Sequence, residues 1–308
     1  MMKKSLIIGG NGFIGSHLAD KLVEMGREVT VFDRFSHGIR NFISPDIRTH
    51  AGDFLNVDDL RSAVAGKDEV FHFLSVTTPA TAYNDPLLDI RVNTAQSVAL
   101  FDACVRANVP DVYFASSGGA VYGETPHATL REENQTNPKS PYAISKLSLE
   151  HYLEYFRVTK GLNYRIFRIS NPYGPRQNPV KPQGLIPIVL RRILSGQSVV
   201  QFGDGSMVRD YLYVEDLVDM ISSSLEVKGN YQTYNLGSGI GTSVSEIFGI
   251  IRQITGIEFP IEYREMPPTY VHRAVLDMTR FQDDFATKTK ISLNQGIHKT
   301  WESIQIPN

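Results

Sequence analysis

Residues 6–15 read LIIGGNGFIG, an apolar run that leads into three regularly spaced glycines, Gly9, Gly12 and Gly15. Apolar residues then recur at helical spacing over residues 13–26. Glycines at a strand-to-helix turn let the backbone bend sharply and approach a ligand closely. The first amides of the helix lack backbone partners and lie at its positive dipole end, so they suit an anion such as a pyrophosphate. The stretch therefore predicts a strand, a phosphate-binding loop and a helix.

Short apolar runs alternate with helical patterns through the first 170 residues. Consecutive parallel strands need long connections, so this alternation predicts the α/β class, with a Rossmann-type, doubly wound parallel sheet covered by helices. Beyond about residue 175 the elements are shorter and rich in Pro and Gly. We expect a first domain over residues 1–174 and a smaller C-terminal substrate-binding lobe over residues 175–308, from which the chain can cross back to the first domain. The strand candidates are SLIIGG, EVTVFD, IRTHAGD, EVFHFLS, DVYFASS and NYRIFRIS.

A carboxylate follows the glycine loop at the end of the next strand candidate. Asp33 ends EVTVFD, 18 residues beyond Gly15, where a carboxylate can accept hydrogen bonds from an adenosine ribose. Asp33 would repel a 2′-phosphate, which favours NAD over NADP, although the adjacent Arg34 partly offsets that repulsion. Asp53, in AGDF after the third strand candidate, is either close to the adenine or a turn or cap residue.

Tyr142 and Lys146 lie on one face of the helix that the sequence predicts over residues 141–158. Tyrosine has a pKa near 10 and is a poor base at neutral pH, but a lysine cation and a nicotinamide cation both favour its phenolate. Such a pair can exchange a proton beside a hydride carrier. The spacing alone is common, and it would equally suit a surface ring beside a solvated charge. The glycine loop and Asp33 favour the catalytic interpretation.

These elements, together with SSGGAVYG at residues 116–123, resemble the extended short-chain dehydrogenase/reductase family, specifically its NAD-dependent nucleotide-sugar epimerases and dehydratases. The resemblance covers essentially the whole chain. It implies bound NAD, a nucleotide-sugar substrate that is UDP-linked, a role in carbohydrate metabolism or polysaccharide biosynthesis, and C4 epimerisation through a 4-keto sugar. Further matching stretches are RISNPYGPRQ at 168–177, FGDGSMVRDYLYVEDL at 202–217, YNLGSG at 234–239 and RVNTAQS at 91–97.

The resemblance also assigns roles to residues at the matching positions. Arg209 would hold the diphosphate, because the planar fork of a guanidinium matches phosphate oxygens. The expected catalytic residues are Tyr142, Lys146 and Ser117. The expected NAD-binding residues are Gly9, Gly12, Phe13, Ile14, Gly15, Asp33, Asp53, Phe54, Phe73, Leu74, Asn93, Tyr142 and Lys146. The expected substrate-binding residues are Ser117, Tyr142, Asn171, Leu185, Arg209 and Arg273.

The sequence departs from the family pattern at the catalytic hydroxyl. The family's Ser or Thr usually lies four residues before the VYG tyrosine, and that position is Gly118. The hydroxyl must therefore come from Ser117 or Ser116, or a water takes its place. We favour Ser117, because the added glycine can bulge the backbone by one residue.

A second departure lies in REMPPTYVHRAVLD at residues 264–277. Pro267 occupies the place of the family's second diphosphate-binding arginine, so Arg273 or Arg264 substitutes for it, or the contact is missing. By the same alignment Ala274 lies where residue size limits the group on sugar C2. A small residue there leaves room for an N-acetyl group, so an N-acetylhexosamine or a related modified sugar fits.

The residues before the VYG tyrosine distinguish the reactions within the family. Dehydratases and decarboxylases typically carry a hydroxyl residue followed by acids there, whereas this chain has Gly118, Gly119 and Ala120. Without an acid to protonate a leaving hydroxyl, epimerisation fits better than dehydration. The sequence also allows a simple NAD(P)-dependent reductase or a non-catalytic NAD-sensing binding protein, although a sensor has no need of Tyr142 and Lys146.

Composition excludes several classes of partner. The chain has 308 residues and a formal charge of −2, with no long run of either sign, so no nucleic-acid partner is expected. No stretch of 18 apolar residues indicates a membrane span. Cys104 is the single cysteine, which fits a reducing, cytoplasmic setting, and the eight histidines show no metal-ligand spacing. The helices expected over residues 86–107 and 141–158 resemble those that pair in family homodimers.

Overall fold

The computed structural model describes residues 2–36, 38–178 and 183–305. The sequence places one domain boundary near residue 174, whereas the contacts assign residues 118–139 to the second unit and return residues 221–234 to the first. Unit 1 comprises Met1–Ser117, Ser140–Arg168 and Ile221–Tyr234. Unit 2 comprises Gly118–Lys139, Ile169–Met220 and Asn235–Asn308.

The strands and helices follow one another as the alternating pattern predicts. The strands are β1 (Lys4–Ile8), β2 (Glu28–Asp33), β3 (Arg48–Ala51), β4 (Glu69–His72), β5 (Asp111–Ser117), β6 (Asn163–Ile169), β7 (Asn171–Tyr173), β8 (Val199–Phe202), β9 (Val208–Tyr213), β10 (Thr233–Leu236), β11 (Gly241–Ser243), β12 (Ile261–Arg264) and β13 (Arg273–Ala274). The helices are α1 (Phe13–Glu24), α2 (Val57–Val64), α3 (Pro79–Asn84), α4 (Pro86–Asp89), α5 (Ala95–Arg106), α6 (Pro141–Lys160), α7 (Leu185–Leu194), α8 (Val214–Ser223), α9 (Val244–Thr255), α10 (Thr279–Phe285) and α11 (Leu293–Gln305). A π-helical turn, Ile90–Thr94, joins α4 to α5.

The central sheet has seven strands in the order β10-β6-β5-β4-β1-β2-β3. Its β1–β2, β2–β3, β1–β4 and β4–β5 pairs are parallel. Leu6, Ile7 and Ile8 of β1 are fully buried, as a strand covered on both faces requires. The doubly wound α/β prediction is confirmed. The strand order reverses direction at β1, and ligands of such sheets bind beyond the carboxyl ends of the strands at that point.

Two local features differ from the sequence prediction. Residues 86–107, expected as one helix, are α4, the π-helical turn and α5, and Asp85 caps α4 by accepting a hydrogen bond from the backbone of Leu88 at 2.9 Å. The strand candidates in the sequence all lie in the first 170 residues, but residues 233–236, at the start of YNLGSG, form β10 next to β6 in the central sheet. β10 forms because it pairs with β6, a strand distant in sequence, and local sequence patterns do not reveal such pairing.

Helix α6 begins and ends where local chemistry places its boundaries. The Ser140 hydroxyl caps it by accepting from the Ala143 amide at 3.2 Å, and Pro141 supplies a first residue that needs no amide partner. Gly161, with φ of 72°, closes its last turn in the left-handed region. Tyr142 and Lys146 thus lie in the first two turns, where the cap fixes the backbone.

Unit 2 contains a sheet in the order β11-β9-β13, with β7 also pairing β9, and a separate β12-β8 pair. Its core contains Ile186 and Leu190 of α7, Phe248 of α9 and Trp301 of α11. The carboxylate of Asp210 on β9 is buried and accepts from the amides of Ser238, Gly239 and Leu276 at 2.7, 3.1 and 3.2 Å. This carboxylate fixes the loop after β10 and the segment after β13 to β9.

Among the described residues, no helix has the length and apolar character needed to cross a bilayer. Within the same part of the chain, no three His, Cys, Asp or Glu side chains are grouped as metal ligands would be.

Candidate active site

The glycine loop of unit 1 is shaped so that side chains would not fit. Gly9 has φ of +78°, a conformation that L side chains rarely adopt, and its amide donates to the carbonyl of Phe32 at 2.9 Å. A Cβ on Gly15 would lie 2.5 Å from the Gly9 oxygen and 2.8 Å from the Gly10 Cα. Gly12 caps α1 without a side chain, and the first turn of α1 carries no acidic residue. The helix amides are therefore left for an anion, and the cradle fits a pyrophosphate.

Asp33 lies at the end of β2, beside the glycine loop. One of its oxygens accepts from the Asn11 amide in that loop at 3.3 Å, and the other accepts from the Arg34 amide at 2.8 Å. Asn41 donates its amide to the Asn11 side chain at 2.8 Å, which holds the segment after β2 against the loop. This is the placement that a ribose-binding carboxylate requires. Asp53 is exposed, and one of its oxygens accepts from the Leu55 amide at 3.0 Å, as a turn residue does.

The apolar residues expected near NAD occupy different positions. Phe13 and Ile14 lie half-buried in the first turn of α1. Phe54 is buried in the core, with its ring 5.4 Å from that of His72, so its side chain is removed from the loop surface. Phe73 and Leu74 follow β4 and are half-buried. The Leu74 Cα lies 3.0 Å from where a Cβ on Gly9 would be, so the glycine permits this close approach.

Asn93 lies in the π-helical turn. Both the nitrogen and the oxygen of its side-chain amide form hydrogen bonds within unit 1. Its amide nitrogen donates to Thr77 at 2.6 Å and to Asp89 at 2.8 Å, and its oxygen accepts from the Val76 amide at 2.9 Å. These bonds fix the segment after β4. Asn93 therefore shapes the wall beside Tyr142 rather than presenting a free amide.

Tyr142, Lys146 and Ser117 come together at the end of β5. The Lys146 ammonium donates to the Ala115 carbonyl at 2.8 Å and lies 5.8 Å from the centre of the Tyr142 ring. It also lies 4.8 Å from the centre of the Phe114 ring. The Ser117 side chain lies close enough to the Tyr142 hydroxyl to lower its pKa. The three side chains that the sequence predicts as catalytic are therefore neighbours.

Ser116, the second candidate for the catalytic hydroxyl, faces the core. It is buried and donates to Glu150 at 2.5 Å. Glu150 also pairs with Arg168 at 2.7 Å. The chain resumes with the Gly118 amide donating to the Ile169 carbonyl at 2.8 Å. Ser116 is thus committed to a buried polar network, which leaves Ser117 beside the tyrosine.

Burial dominates the electrostatics of the pair. It raises the pKa of Tyr142 to about 12, the nearby Ser117 side chain lowers it, and the charge of Asp89 raises it further. Burial lowers the pKa of Lys146 to about 8, while Asp89 and Glu150 raise it. Without a bound cofactor, burial raises the pKa of Tyr142 by more than the Lys146 cation can lower it. A further positive charge is needed before Tyr142 can act as a base at neutral pH.

Unit 2 holds the remaining residues expected to bind substrate. Asn171 donates to the Asp210 carbonyl at 3.0 Å, and Leu185 begins α7. The Arg209 guanidinium donates to the carbonyls of Val271 at 2.7 Å and Val208 at 2.8 Å. No carboxylate of the described residues lies within ion-pair distance of it. Burial lowers its pKa, but a guanidinium stays charged.

The arginines near β13 differ in their partners. Arg273 is exposed and donates from Nε to the Ala128 carbonyl at 2.9 Å. Arg264 pairs with Glu262 at 2.8 Å, so its charge is already balanced. Ala274 is buried and lies opposite Arg209 in the β13–β9 register. Of the two candidate arginines, Arg273 is the one without a carboxylate partner among the described residues.

Sequence reasoning missed a set of buried polar side chains beside the pair. Asp89, Thr77 and Ser145 are buried together, and Asp89 affects both Tyr142 and Lys146 electrostatically. The only signal was an aspartate four residues before Asn93, the spacing of one helical turn.

A glycine cradle before the first helix, a carboxylate at the end of the next strand, and neighbouring Ser, Tyr and Lys side chains on a doubly wound sheet are typical of nucleotide-dependent short-chain dehydrogenases/reductases. The family model described as NAD dependent epimerase/dehydratase matches residues 5–237. The chain belongs to this NAD-dependent epimerase/dehydratase family, so NAD is its cofactor. A putative UDP-glucose 4-epimerase from Methanocaldococcus jannaschii is 34% identical over 300 residues, covering 96% of each chain.

Solved structures are similar over nearly the whole chain. The UDP-glucose 4-epimerase of Thermotoga maritima, crystallised with UDP-glucose, has a TM-score of 0.92 and 34% identity and covers 98% of both chains. The UDP-N-acetylglucosamine 4-epimerase of Methanobrevibacter ruminantium, in complex with UDP-N-acetylmuramic acid, has a TM-score of 0.90 and 30% identity over 99% of this chain and 98% of its own.

Proposed function

We propose that the chain is an NAD-dependent nucleotide-sugar 4-epimerase that inverts C4 of a UDP-hexose or UDP-N-acetylhexosamine through a 4-keto sugar. The observation that carries the proposal is the placement of Ser117 and the buried Lys146 beside Tyr142, in a unit whose glycine loop fits a pyrophosphate. The similar proteins named above as UDP-sugar 4-epimerases support the same reaction.

The residues of unit 1 divide the proton chemistry between them. When bound, NAD supplies a reversible hydride acceptor for the hydrogen on C4 and a positive charge that favours the Tyr142 phenolate. Tyr142 takes the proton of the sugar 4-hydroxyl and returns it when the carbonyl is reduced again. Ser117 orients that hydroxyl and donates to the phenolate. Lys146 keeps a cation beside the tyrosine. No proton, hydride or cofactor is consumed over the cycle.

The residues of unit 2 are proposed to anchor the nucleotide. Arg209 is held by neutral carbonyls, and a diphosphate is a stronger partner for its guanidinium than those carbonyls are. Arg273 supplies the second cation. An anchored diphosphate lets the 4-keto sugar turn over without leaving the protein, which inversion at C4 requires.

The size of Ala274 bears on the substrate. Its place opposite Arg209 in the strand register puts a methyl group next to the proposed diphosphate ligand. A methyl group there leaves room for a bulky substituent, so we include N-acetylhexosamines among the substrates. The name of the similar UDP-N-acetylglucosamine 4-epimerase is consistent with this proposal.

The region around Gly119 argues against a dehydratase. A Cβ at Gly119 would lie 3.6 Å from the Asn171 amide nitrogen, an ordinary contact, so the position tolerates a side chain. Neither Gly119 nor its neighbours Gly118 and Ala120 supply an acid for a leaving hydroxyl. A simple reductase would not need a half-buried Arg209 that donates only to neutral groups, and a cofactor sensor would not need the cluster around Tyr142.

We also propose that the chain forms a homodimer and works in the cytoplasm. Apolar side chains are exposed along α6, and further ones lie on α4 and the turn after it. Such surface is typical of a subunit interface. The single, buried cysteine fits a reducing compartment. The exposed apolar residues of α6 are Ile144, Tyr152, Tyr155 and Val158, and those of α4 and the turn are Leu87, Leu88 and Ile90.

The decisive experiment is to incubate the purified protein, first without and then with added NAD, with UDP-glucose, UDP-galactose, UDP-N-acetylglucosamine and UDP-N-acetylgalactosamine, and to follow the sugar protons by NMR. Interconversion of the axial and equatorial 4-hydroxyl forms is the expected result. Loss of the 6-hydroxyl would identify a dehydratase, and net formation of reduced cofactor would identify a reductase. No change with any sugar would refute the proposed substrates.

A further inference from the structure

A buried carboxylate lies behind the proposed catalytic pair. Asp89 ends α4 and is fully buried. Its two oxygens accept hydrogen bonds from the hydroxyls of Thr77 and Ser145 and from the Asn93 amide nitrogen at 2.8 Å. Three donors and no acceptor suit an ionised carboxylate, which can only accept. A buried charge with neutral partners lowers the stability of a fold, so its retention here calls for a compensating role.

The three donors to Asp89 come from three segments that border the pair. Thr77 lies in the segment after β4, Asn93 lies in the π-helical turn, and Ser145 lies on α6. Ser145 follows Tyr142 by three residues and precedes Lys146, so it shares their side of the helix. A small cavity is lined by Asn93, Tyr142, Ser145 and Lys146 together with Leu74, Ser75, Ser97 and Leu149. Asp89 thus links the helix that carries the pair to the opposite wall of this cavity.

The charges around Lys146 single out Asp89. Glu150 is neutralised by Arg168 at 2.7 Å, whereas Asp89 has no cationic partner at ion-pair distance among the described residues. Burial lowers the pKa of His72, so that ring is neutral. The groups that face Lys146 are Asp89 from α4, Tyr142 and Glu150 from α6, and His72 from β4.

We propose that Asp89 is a positioning residue for the Tyr142–Lys146 pair: its carboxylate holds the face of α6 through Ser145 and supplies the negative charge that keeps the Lys146 ammonium protonated. The predicted effect on turnover rests on the proposed function. The effect of the Asp89 charge on the protonation of Lys146 does not depend on the substrate.

Removing the Asp89 charge should shift the pKa values of Lys146 and Tyr142 in the same direction. A cation loses its proton at lower pH when a neighbouring anion is neutralised, so the pKa of Lys146 falls below its present value of about 8. Asp89 also raises the pKa of Tyr142, so the phenolate forms at lower pH without it. Both limbs of a bell-shaped pH profile of turnover therefore move to lower pH. A loss of packing alone lowers turnover or stability and moves neither limb.

The test compares Asp89→Asn with wild type in the full chain. The pH titration of Lys146 is followed by NMR of lysine labelled with carbon-13 at Cε, and Lys146→Arg assigns the signal. Neutralising one nearby charge should lower the titration midpoint by about one pH unit, and the turnover profile should move in the same direction. Should Asp89→Asn not fold, Asp89→Ser removes the same charge and leaves more space.

Two controls separate charge from packing. Ser145→Ala removes one donor but keeps the carboxylate, so it should lower the melting temperature and leave the Lys146 midpoint unchanged. Glu69→Gln neutralises a buried carboxylate on β4 that accepts from Ser5 at 2.6 Å, and it should leave the midpoint unchanged as well.

An unchanged midpoint in folded Asp89→Asn would overturn the inference, and so would an equal shift in Ser145→Ala. An inactive wild type would refute the proposed epimerase, but the NMR titration would still decide the role of Asp89.

Discussion

Lys146 in unit 1 and Arg209 in unit 2 are both cations that burial disfavours, yet their surroundings differ. Lys146 donates to one carbonyl and is faced by Asp89 and Glu150, whereas Arg209 donates to carbonyls and has no carboxylate partner among the described residues. Burial lowers the pKa of both, but only a lysine can lose its proton near neutral pH. The buried Lys146 needs a nearby anion to stay charged, whereas the half-buried Arg209 stays charged without a carboxylate partner and can bind an anionic ligand.

For unit 1, the substitution with the largest expected effect is Tyr142→Phe, which tests the proposed proton transfer by the Tyr142–Lys146 pair. Turnover should fall by roughly 10²- to 10⁴-fold or more, the range for losing a general acid–base. NAD binding should persist, because the glycine loop is untouched. The measurement is UDP-sugar epimerisation by NMR, with cofactor content determined on the same sample. Tyr263→Phe, at an exposed tyrosine on β12, is the matched control and should retain full activity. A fully active Tyr142→Phe would contradict the assigned mechanism.

For unit 2, Arg209→Met tests the proposed contact between the Arg209 guanidinium and the diphosphate. Charge-assisted hydrogen bonds contribute about 1.5–3 kcal/mol each, so KM for the UDP-sugar should rise by roughly 10- to 100-fold with a smaller change in kcat. Steady-state kinetics supplies both constants. Arg191→Met, an exposed arginine on α7, should change neither. If Arg209→Met left KM unchanged, its proposed diphosphate contact would be wrong.

The glycine cradle is tested by Gly15→Ala. The new Cβ would overlap the Gly9 carbonyl, and such overpacking costs roughly 1–3 kcal/mol, which should appear as weaker NAD binding and a lower melting temperature. Gly249→Ala on α9 is the matched control, because no atom lies within 4 Å of its Cβ position. That control should stabilise the chain by about 0.5–1 kcal/mol. Equal behaviour of the two variants would show that the loop does not need glycine at residue 15.

Burial of Lys146 also predicts how stability varies with pH. Its pKa is about 8 in the folded chain against 10.5 ordinarily, so between these values the unfolded chain binds more protons. Stability from this group therefore rises with pH over that window, by up to about 2 kcal/mol between pH 8 and 10. Denaturant unfolding at several pH values measures the slope. Lys146→Met should flatten it, whereas an identical slope in that variant would assign the effect to other groups.

Much of unit 1 could be predicted because its signals are local. All six strand candidates are strands, and the helix expected over residues 141–158 is α6. The glycine loop and the end of β2 follow from steric rules that hold in any context. The π-helical turn was missed because it spans only five residues, which is too short for apolar spacing to distinguish it from an α-helix. β10 was missed because its partner, β6, is about 70 residues away in sequence.

The preference for Ser117 over Ser116 shows the limit of pattern reasoning. Both serines lie at the end of β5. The sequence favoured Ser117 only because an added glycine could bulge the backbone by one residue. The structure separates them because Ser116 is bonded to Glu150, a residue of α6 that local sequence does not connect to β5. The same applies to Asn93, which the family resemblance places among the NAD-binding residues and whose side chain, in the structure, holds the segment after β4.

The sequence by itself determined the fold class, the glycine loop and the tyrosine–lysine pair, because strand alternation, glycine sterics and helical spacing act between near neighbours. Only the tertiary structure decided which serine meets Tyr142, that Asp89 lies behind Lys146, and that burial places the pKa of the tyrosine above that of the lysine. Desolvation and charge act through space between segments distant in sequence, so those properties exist only once the chain is folded.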